Sequence, residues 1–163
     1  MISKKGEGTF SEVLQAQSIK NNKQVAIKCM KANFFNIEKV SYQKIIIFLF
    51  SRVQVNNLRE IQALKRLSPH PNIITLLEVL YDEPTGRLAL VFELMEMNMY
   101  EAIKGKRTPL PESRVRSMMY QVLKSIDHMH RNGIYHRDIK PENILITGDV
   151  VKLADFGSCR GIY

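Results

Sequence analysis

Cysteine is scarce: Cys29 and Cys159 are the only two in 163 residues, far apart and without metal-ligand spacing. That excludes a disulfide framework and is the pattern of reduced thiols in a cytoplasmic or nuclear protein. Eight glycines and six prolines are too few for a collagenous or low-complexity chain. No apolar run approaches the roughly 18 residues of a membrane span. The most apolar stretch, Ile45-Ile46-Ile47-Phe48-Leu49-Phe50, is short and internal. The start, Met1-Ile2-Ser3-Lys4-Lys5-Gly6, has no apolar h-region, so a secretory signal is not expected. There is no internal repeat, and no stretch interleaves aromatic with basic residues as a nucleic-acid module would.

What is present is ordinary globular composition, 45% hydrophobic and 25% charged, at a length that suits one domain. The net charge of +8, from 24 Lys and Arg against 16 Asp and Glu, is spread along the chain. Lys104 to Arg107 is only a short basic cluster. Scattered cations read as solvated surface, and a basic total also suits an enzyme that handles a polyphosphate.

Two textures follow one another. Up to about Glu93 the chain reads as short strands with one helix. Val25-Ala26-Ile27 and Leu88-Ala89-Leu90-Val91-Phe92 are β-prone runs, each preceded by turn chemistry at Asn21-Asn22 and Thr85-Gly86. Asn56-Asn57 offers an N-cap to a helix with apolar Leu58, Ile61, Leu64 and Leu67, stopped by Ser68-Pro69-His70-Pro71. Ile73 to Leu77 then predicts a further strand. A second helix opens near Pro111-Glu112, with Val115, Met118, Met119, Val122, Ile126 and Met129 at helical spacing and Asn132-Gly133 as a left-handed C-cap. Met118, Met119 and Met129 read as core filler. Short strands return at Ile144-Leu145-Ile146 and Val150-Val151-Lys152-Leu153, joined through Gly148-Asp149.

Four segments carry chemistry. Gly6-Glu7-Gly8-Thr9-Phe10-Ser11-Glu12-Val13 can let backbone N–H groups approach a phosphate, although alone it is equally a hairpin turn. Lys28 ends a buried-looking strand; a lone strand-end lysine usually snorkels to water, and a phosphate-binding one needs a carboxylate, for which Glu60 is the candidate. The decisive segment is His136-Arg137-Asp138-Ile139-Lys140-Pro141-Glu142-Asn143, followed closely by Asp155-Phe156-Gly157. Asp138 can orient a hydroxyl proton, Lys140 can neutralise a phosphoryl group, and Asn143 and Asp155 are hard oxygen ligands of the kind Mg²⁺ takes beside phosphates. A polar loop would not assemble this order by chance.

In these motifs the chain resembles the eukaryotic Ser/Thr protein kinases over nearly its whole length. The resemblance implies an α+β kinase fold: an antiparallel β small lobe with one helix over 1–93, a hinge at 94–98 and an incomplete helical large lobe over 99–163. It implies ATP and Mg²⁺ as cofactors and a protein hydroxyl as substrate. By the same resemblance Lys28 is the phosphate lysine and Glu60 its partner, Asp138 the base, and Asn143 and Asp155 the metal ligands. Phe92 stands as gatekeeper, Glu93 and Met95 meet adenine, Asn98 lies near the ribose, and Val13, Ala26, Met95 and Leu145 sandwich the base. Lys140 is the Ser/Thr rather than the Tyr pattern. Arg59-Glu60-Ile61 and His70-Pro71-Asn72-Ile73 resemble the branch containing cyclin-dependent and MAP kinases.

The chain departs from the family in three places. Ser11 stands where many relatives have a third loop glycine, and Lys5 where an apolar residue is usual. Lys28 and Glu60 are 32 positions apart, which implies an insertion of about 15 residues, Lys39 through Val53. That insertion reads either as an atypical loop on the small lobe or as translated non-coding sequence. Finally, Tyr163 comes six residues after Gly157, so the activation segment of the family is not in this sequence and Arg137 is expected to lack the phosphate it pairs with in relatives. Two functions follow: a Ser/Thr kinase by resemblance, or a catalytically incompetent fragment that at most binds nucleotide or partners.

Overall fold

A computed structural model describes residues 3–7, 11–31, 58–82 and 84–161. Gly8, the proposed Asn56-Asn57 cap and the 39–53 insertion lie outside the described residues. The described residues fall into two units, one of residues up to Leu58 with Leu76–Leu94, the other of Arg59–Thr75 with Met95 onward.

The first unit is an antiparallel sheet of β1 (Ser3–Glu7), β2 (Ser11–Gln17), β3 (Gln24–Met30), β4 (Leu76–Asp82) and β5 (Arg87–Glu93), ordered β1-β2-β3-β5-β4. Asn22 closes the β2–β3 turn at φ 56°, a left-handed conformation that asparagine tolerates. Strand alternation sorts the residues onto two faces. Val25, Ala16 and Val91 form a buried cluster with Ile27 against it. The register places the alternate set on the opposite face: Val13 across from Lys28, Ala26 from Phe92, and Lys28 from Leu90. β1 carries a register shift between Lys4 and Gly6. Glu7 ties it down, accepting from Lys31 at 2.6 Å and Lys4 at 2.5 Å, and these hydrogen bonds, Lys31 first, push its carboxyl down to about 2.

The second unit begins with α1 (Arg59–Leu67), whose Ile61, Leu64 and Leu67 are fully buried. It continues through β6 (Met97–Asn98), α2 (Met99–Ile103), α3 (Glu112–Arg131), β7 (Ile134–Tyr135), β8 (Ile144–Thr147), β9 (Val150–Leu153) and β10 (Arg160–Gly161). Strands β6-β8-β9 form one antiparallel sheet and β7 pairs with β10. Gly148 turns β8 into β9 at φ 56°, and Gly133 caps α3 at φ 70° as the Asn-Gly signal predicts. α1 groups with the residues from Met95 onward.

Two local expectations need correction. The strand expected over Ile73–Leu77 begins only at Leu76; Ile73 and Ile74 are buried and dock singly, Ile73 bridging Leu153 and the Ile74 N–H donating to the Leu153 carbonyl at 2.9 Å. On α3 the buried line is Met118, Val122, Ser125 and Met129, while Val115 and Met119 are 42% and 44% exposed. Ser125 is tolerated there because its hydroxyl donates to the Val122 carbonyl at 2.7 Å. Among the described residues no helix is long and apolar enough to cross a membrane.

Candidate active site

The decisive motif occupies the β7–β8 connection. Burial alternates from Ile134 through exposed Tyr135 to His136, which is 2% exposed. The Asp138 N–H donates to His136 Nδ1 at 3.3 Å, and His136 Nε2 lies 2.9 Å from the Ala154 carbonyl. An amide can only donate and a carbonyl only accept, so Nδ1 is bare and Nε2 carries the proton. The imidazole is neutral, and burial pushes its pKa below the ordinary histidine value, with the Ala154 hydrogen bond acting the other way. Its edge meets Phe156, centroids 5.1 Å apart, and Phe156 is fully buried. His136 thus joins the Asp138 loop to the Asp155 segment, a role that sequence reading missed and that the period-two alternation from Ile134 signals. His136→Phe keeps the ring contact but strands the Ala154 carbonyl and the Asp138 N–H. It is expected to cost about 1–3 kcal/mol in thermal unfolding.

Asp138 is half-buried and engaged on both sides. Its Oδ2 accepts from Lys140 Nζ at 2.8 Å and Asn143 Nδ2 at 3.0 Å. Lys140, foremost, holds the Asp138 carboxyl below the usual carboxylate range, and Asp138 in turn raises Lys140. Asn143 Nδ2 also donates to the Asp138 carbonyl at 2.8 Å, which leaves Oδ1 as the Asn143 atom able to ligate a cation. The Ala154 N–H donates to the Asn143 carbonyl at 2.9 Å and so fixes the start of Asp155-Phe156-Gly157 beside it. Asp155 is exposed and left-handed at φ 62°. A Cβ placed on Gly157 would stand 3.5 Å from Asp155 Oδ1 and 3.8 Å from Glu60 Oε2, so the two carboxylates flank that glycine. Asn143 and Asp155 offer hard oxygens, and two protein ligands suit Mg²⁺, which retains water and phosphate in its remaining positions. Among the described residues no group of three or more His, Cys, Asp or Glu forms a metal cluster; the amide oxygen of Asn143 is outside such a count.

Arg137 bonds its own chain in place of a phosphate. Expected to stand without a partner, it donates from Nε to the Ser158 carbonyl at 2.7 Å, with a backbone φ of 67°. Next to Ser158, Cys159 is buried, its thiol donates to the Phe156 carbonyl at 2.8 Å, and burial raises its pKa. Burial likewise raises Cys29, and neither cysteine is bridged.

The expected nucleotide residues divide between the units. In the first, Val13, Ala26, Lys28 and Phe92 share one face of the sheet, with Glu93 paired to Val25. A Cβ on Gly6 would meet nothing within 4 Å among the described residues, so the fold itself does not demand glycine there. In the second unit Asn98 pairs with Leu145 across β6 and β8. Asn98 also caps α2: its Oδ1 accepts from the Glu101 N–H at 2.8 Å, while Glu101 accepts from the Asn98 N–H at 2.8 Å. Its Nδ2 has no part in that cap. Thr147, which sequence reading passed over, accepts from the Glu96 N–H at 3.1 Å and lies 3.6 Å from Met95 Sδ, anchoring Met95 to β8.

The family model for the protein kinase domain matches residues 1–163. The chain is 56% identical over 162 residues to the MAPK/MAK/MRK overlapping kinase of Homo sapiens, covering 99% of this chain and 35% of that protein. It is 38% identical to the serine/threonine-protein kinase MAK of Mus musculus, covering 95% of this chain and 22% of that protein. It is 36% identical to cyclin-dependent kinase F-4 of Oryza sativa subsp. japonica, covering 99% and 31% respectively. The chain thus spans about a third or less of the length of these relatives.

Proposed function

The chain belongs to the protein kinase family, and on that premise we propose that it serves ATP-dependent phosphorylation of Ser and Thr hydroxyls in proteins. The observation that carries the reading is the Asp138–Lys140–Asn143 network with Ala154 bonded to Asn143. In it an ionised carboxylate, a cation and the Asn143 amide meet within hydrogen-bond distance. Asp138 accepts or orients the hydroxyl proton; Lys140, already beside it, offsets charge on the transferring group. Asn143 Oδ1 and Asp155 would hold Mg²⁺, which when bound neutralises and orients the phosphates. The resemblance assigns Lys28 to the α- and β-phosphates and Glu60 to its support. Gly6, Glu7 and Gly8 cover the phosphates. The resemblance assigns Val13, Ala26, Met95 and Leu145 to the base, Glu93 and Met95 to adenine and Phe92 to the gatekeeper position. The unbridged cysteines support action in the cytoplasm or nucleus.

The direct test is ligand linkage. A ligand bound only by the folded chain raises the thermal midpoint, and at a hundred times its Kd the gain is about 2.7 kcal/mol. Mg-ATP is expected to raise the midpoint, Asp155→Asn to weaken that rise, and Asp138→Asn to leave it nearly intact. An equal rise in wild type and Asp155→Asn would remove Asp155 from the metal site. Binding without any transfer to Ser/Thr peptides would favour the second reading, a nucleotide- or partner-binding chain without catalysis.

A further inference from the structure

His70 and His128 stack with ring centroids 4.5 Å apart and planes inclined by 24°. His70 lies between α1 and β4, His128 on α3, and neither has a part in the site above. The Asn72 N–H donates to His70 Nδ1 at 3.1 Å, so that nitrogen is unprotonated and the His70 proton sits on Nε2. His128 Nε2 lies 3.0 Å from the Leu67 carbonyl at the end of α1 and must donate to it. The two rings thus tie the 68–75 segment to α3 and to the end of α1.

That segment clamps β9. The Asn72 carbonyl accepts from the Leu153 N–H at 2.9 Å, and the Ile74 N–H returns a bond to the Leu153 carbonyl at 2.9 Å. Asn72 Nδ2 donates to the Val151 carbonyl at 2.9 Å and to Gln121 Oε1 at 2.8 Å. β9 runs directly into Ala154 and Asp155.

We propose that the His70–His128 stack is a proton-sensitive latch: a proton on His70 Nδ1 takes away the acceptor of the Asn72 N–H and loosens the segment that clamps β9. A stacked pair of imidazoles cannot carry two charges cheaply. Among the described residues, the charges that act on His70 are cationic. α3 presents Lys124, β9 presents Lys152, and α1 ends in Lys65 and Arg66, while Asp127 on α3 is bound to Arg131. Burial first, then His128, Lys124 and Lys152, lowers the pKa of His70. A histidine lowered on folding contributes stability that is whole above its unfolded value, about 6.5, and that is lost as pH falls through that value toward the folded one. The latch therefore opens in acid. Its effect on Asp155 rests on the proposed function; the latch itself does not.

The test compares the thermal midpoint of the whole chain at about pH 7.5 and about pH 5.5, on either side of the ordinary histidine range. His70→Asn retains an acceptor near the Nδ1 position and does not titrate. His130 and His136 contribute equally to both proteins, so the difference in pH slope reports the His70–His128 pair. The variant is expected to lose about 3–5 °C less than wild type for each pKa unit of depression. A second readout, the imidazole carbon shifts of wild type, is expected to give His70 a titration below the ordinary value. Equal slopes, or a His70 titration at or above that value, would overturn the latch; if His70→Asn does not fold, the wild-type titration decides alone. The Mg-ATP shift measured at both pH values separates the two claims. A latch that titrates in a chain that never binds Mg-ATP stands without the kinase reading.

Discussion

Asp138→Asn is expected to lower phosphorylation of a Ser/Thr peptide by about 10²–10⁴-fold, the usual worth of a positioned general base, in any form of the protein that shows transfer. The substitution is nearly isosteric, and the neighbours show why it is selective. Asn143 Nδ2 and Lys140 Nζ both donate to Oδ2, so an amide oriented with its oxygen toward them keeps two acceptor contacts and loses only the charge. The Asp138 N–H bond to His136 and the carbonyl bond to Asn143 are backbone features and survive. The loss should appear in kcat with KM for ATP little changed, because the carboxylate is assigned to the hydroxyl and not to the nucleotide. The pH profile gives a second check. With Lys140 beside it the Asp138 carboxyl sits low, so it is ionised throughout the neutral range, and activity limited by this group should fall only well into acid. Unchanged kcat in the Asn variant, or an acid limb in the neutral range that moves with it, would take the base role away from Asp138.

Phe156→Ala is expected to destabilise the second unit by about 3–5 kcal/mol, the range for large aromatic truncations in a closed core. Phe156 is fully buried, its ring meets His136, and its carbonyl accepts from both the N–H and the thiol of Cys159. Removing the ring leaves a void beside His136 and the buried face of α1. Stabilities of ordinary domains are about 5–15 kcal/mol, so this one change takes up much of the total. A shift in the urea midpoint with an unchanged slope would report it as lost stability. A cost near that of a surface substitution, within about 0.5 kcal/mol, would mean that the pocket around Phe156 closes on itself.

The elements that announce themselves locally were legible in the chain. β3, β5, β8 and β9 carry β-prone runs bounded by Asn or Gly turns, and α3 carries a helical period with its Asn-Gly stop. Two readings failed for a common reason: apolar character was equated with one kind of burial. Ile73 and Ile74 are buried as isolated plugs against Leu153, so a β-branched pair there marks docking and not a strand. The buried line of α3 passes through Ser125 and leaves Val115 and Met119 outside it, which a tally of apolar positions cannot show because the polar member satisfies itself internally. Motif order revealed the identities at Asp138, Lys140, Asn143 and Asp155. It could not reveal the bonds that assemble them: Ala154 acts through backbone groups that every residue possesses, and the ring nitrogens of His136 bond backbone groups of Asp138 and Ala154.

Arg137 and Asp155 both hold left-handed backbone, at φ 67° and 62°, a conformation that costs a residue other than glycine roughly 1–3 kcal/mol. Glycine removes that cost, and asparagine accepts the same geometry more readily than most residues. A variant library sorted only for heat resistance would therefore tend to collect Gly or Asn at Asp155, where the proposed chemistry needs a carboxylate. Survivors of such a sort would be the best-folded and the least active members. Thermostabilisation of this chain has to hold positions 137 and 155 out of the randomised set and seek its gains elsewhere, on the sheet and on the exposed side of α3.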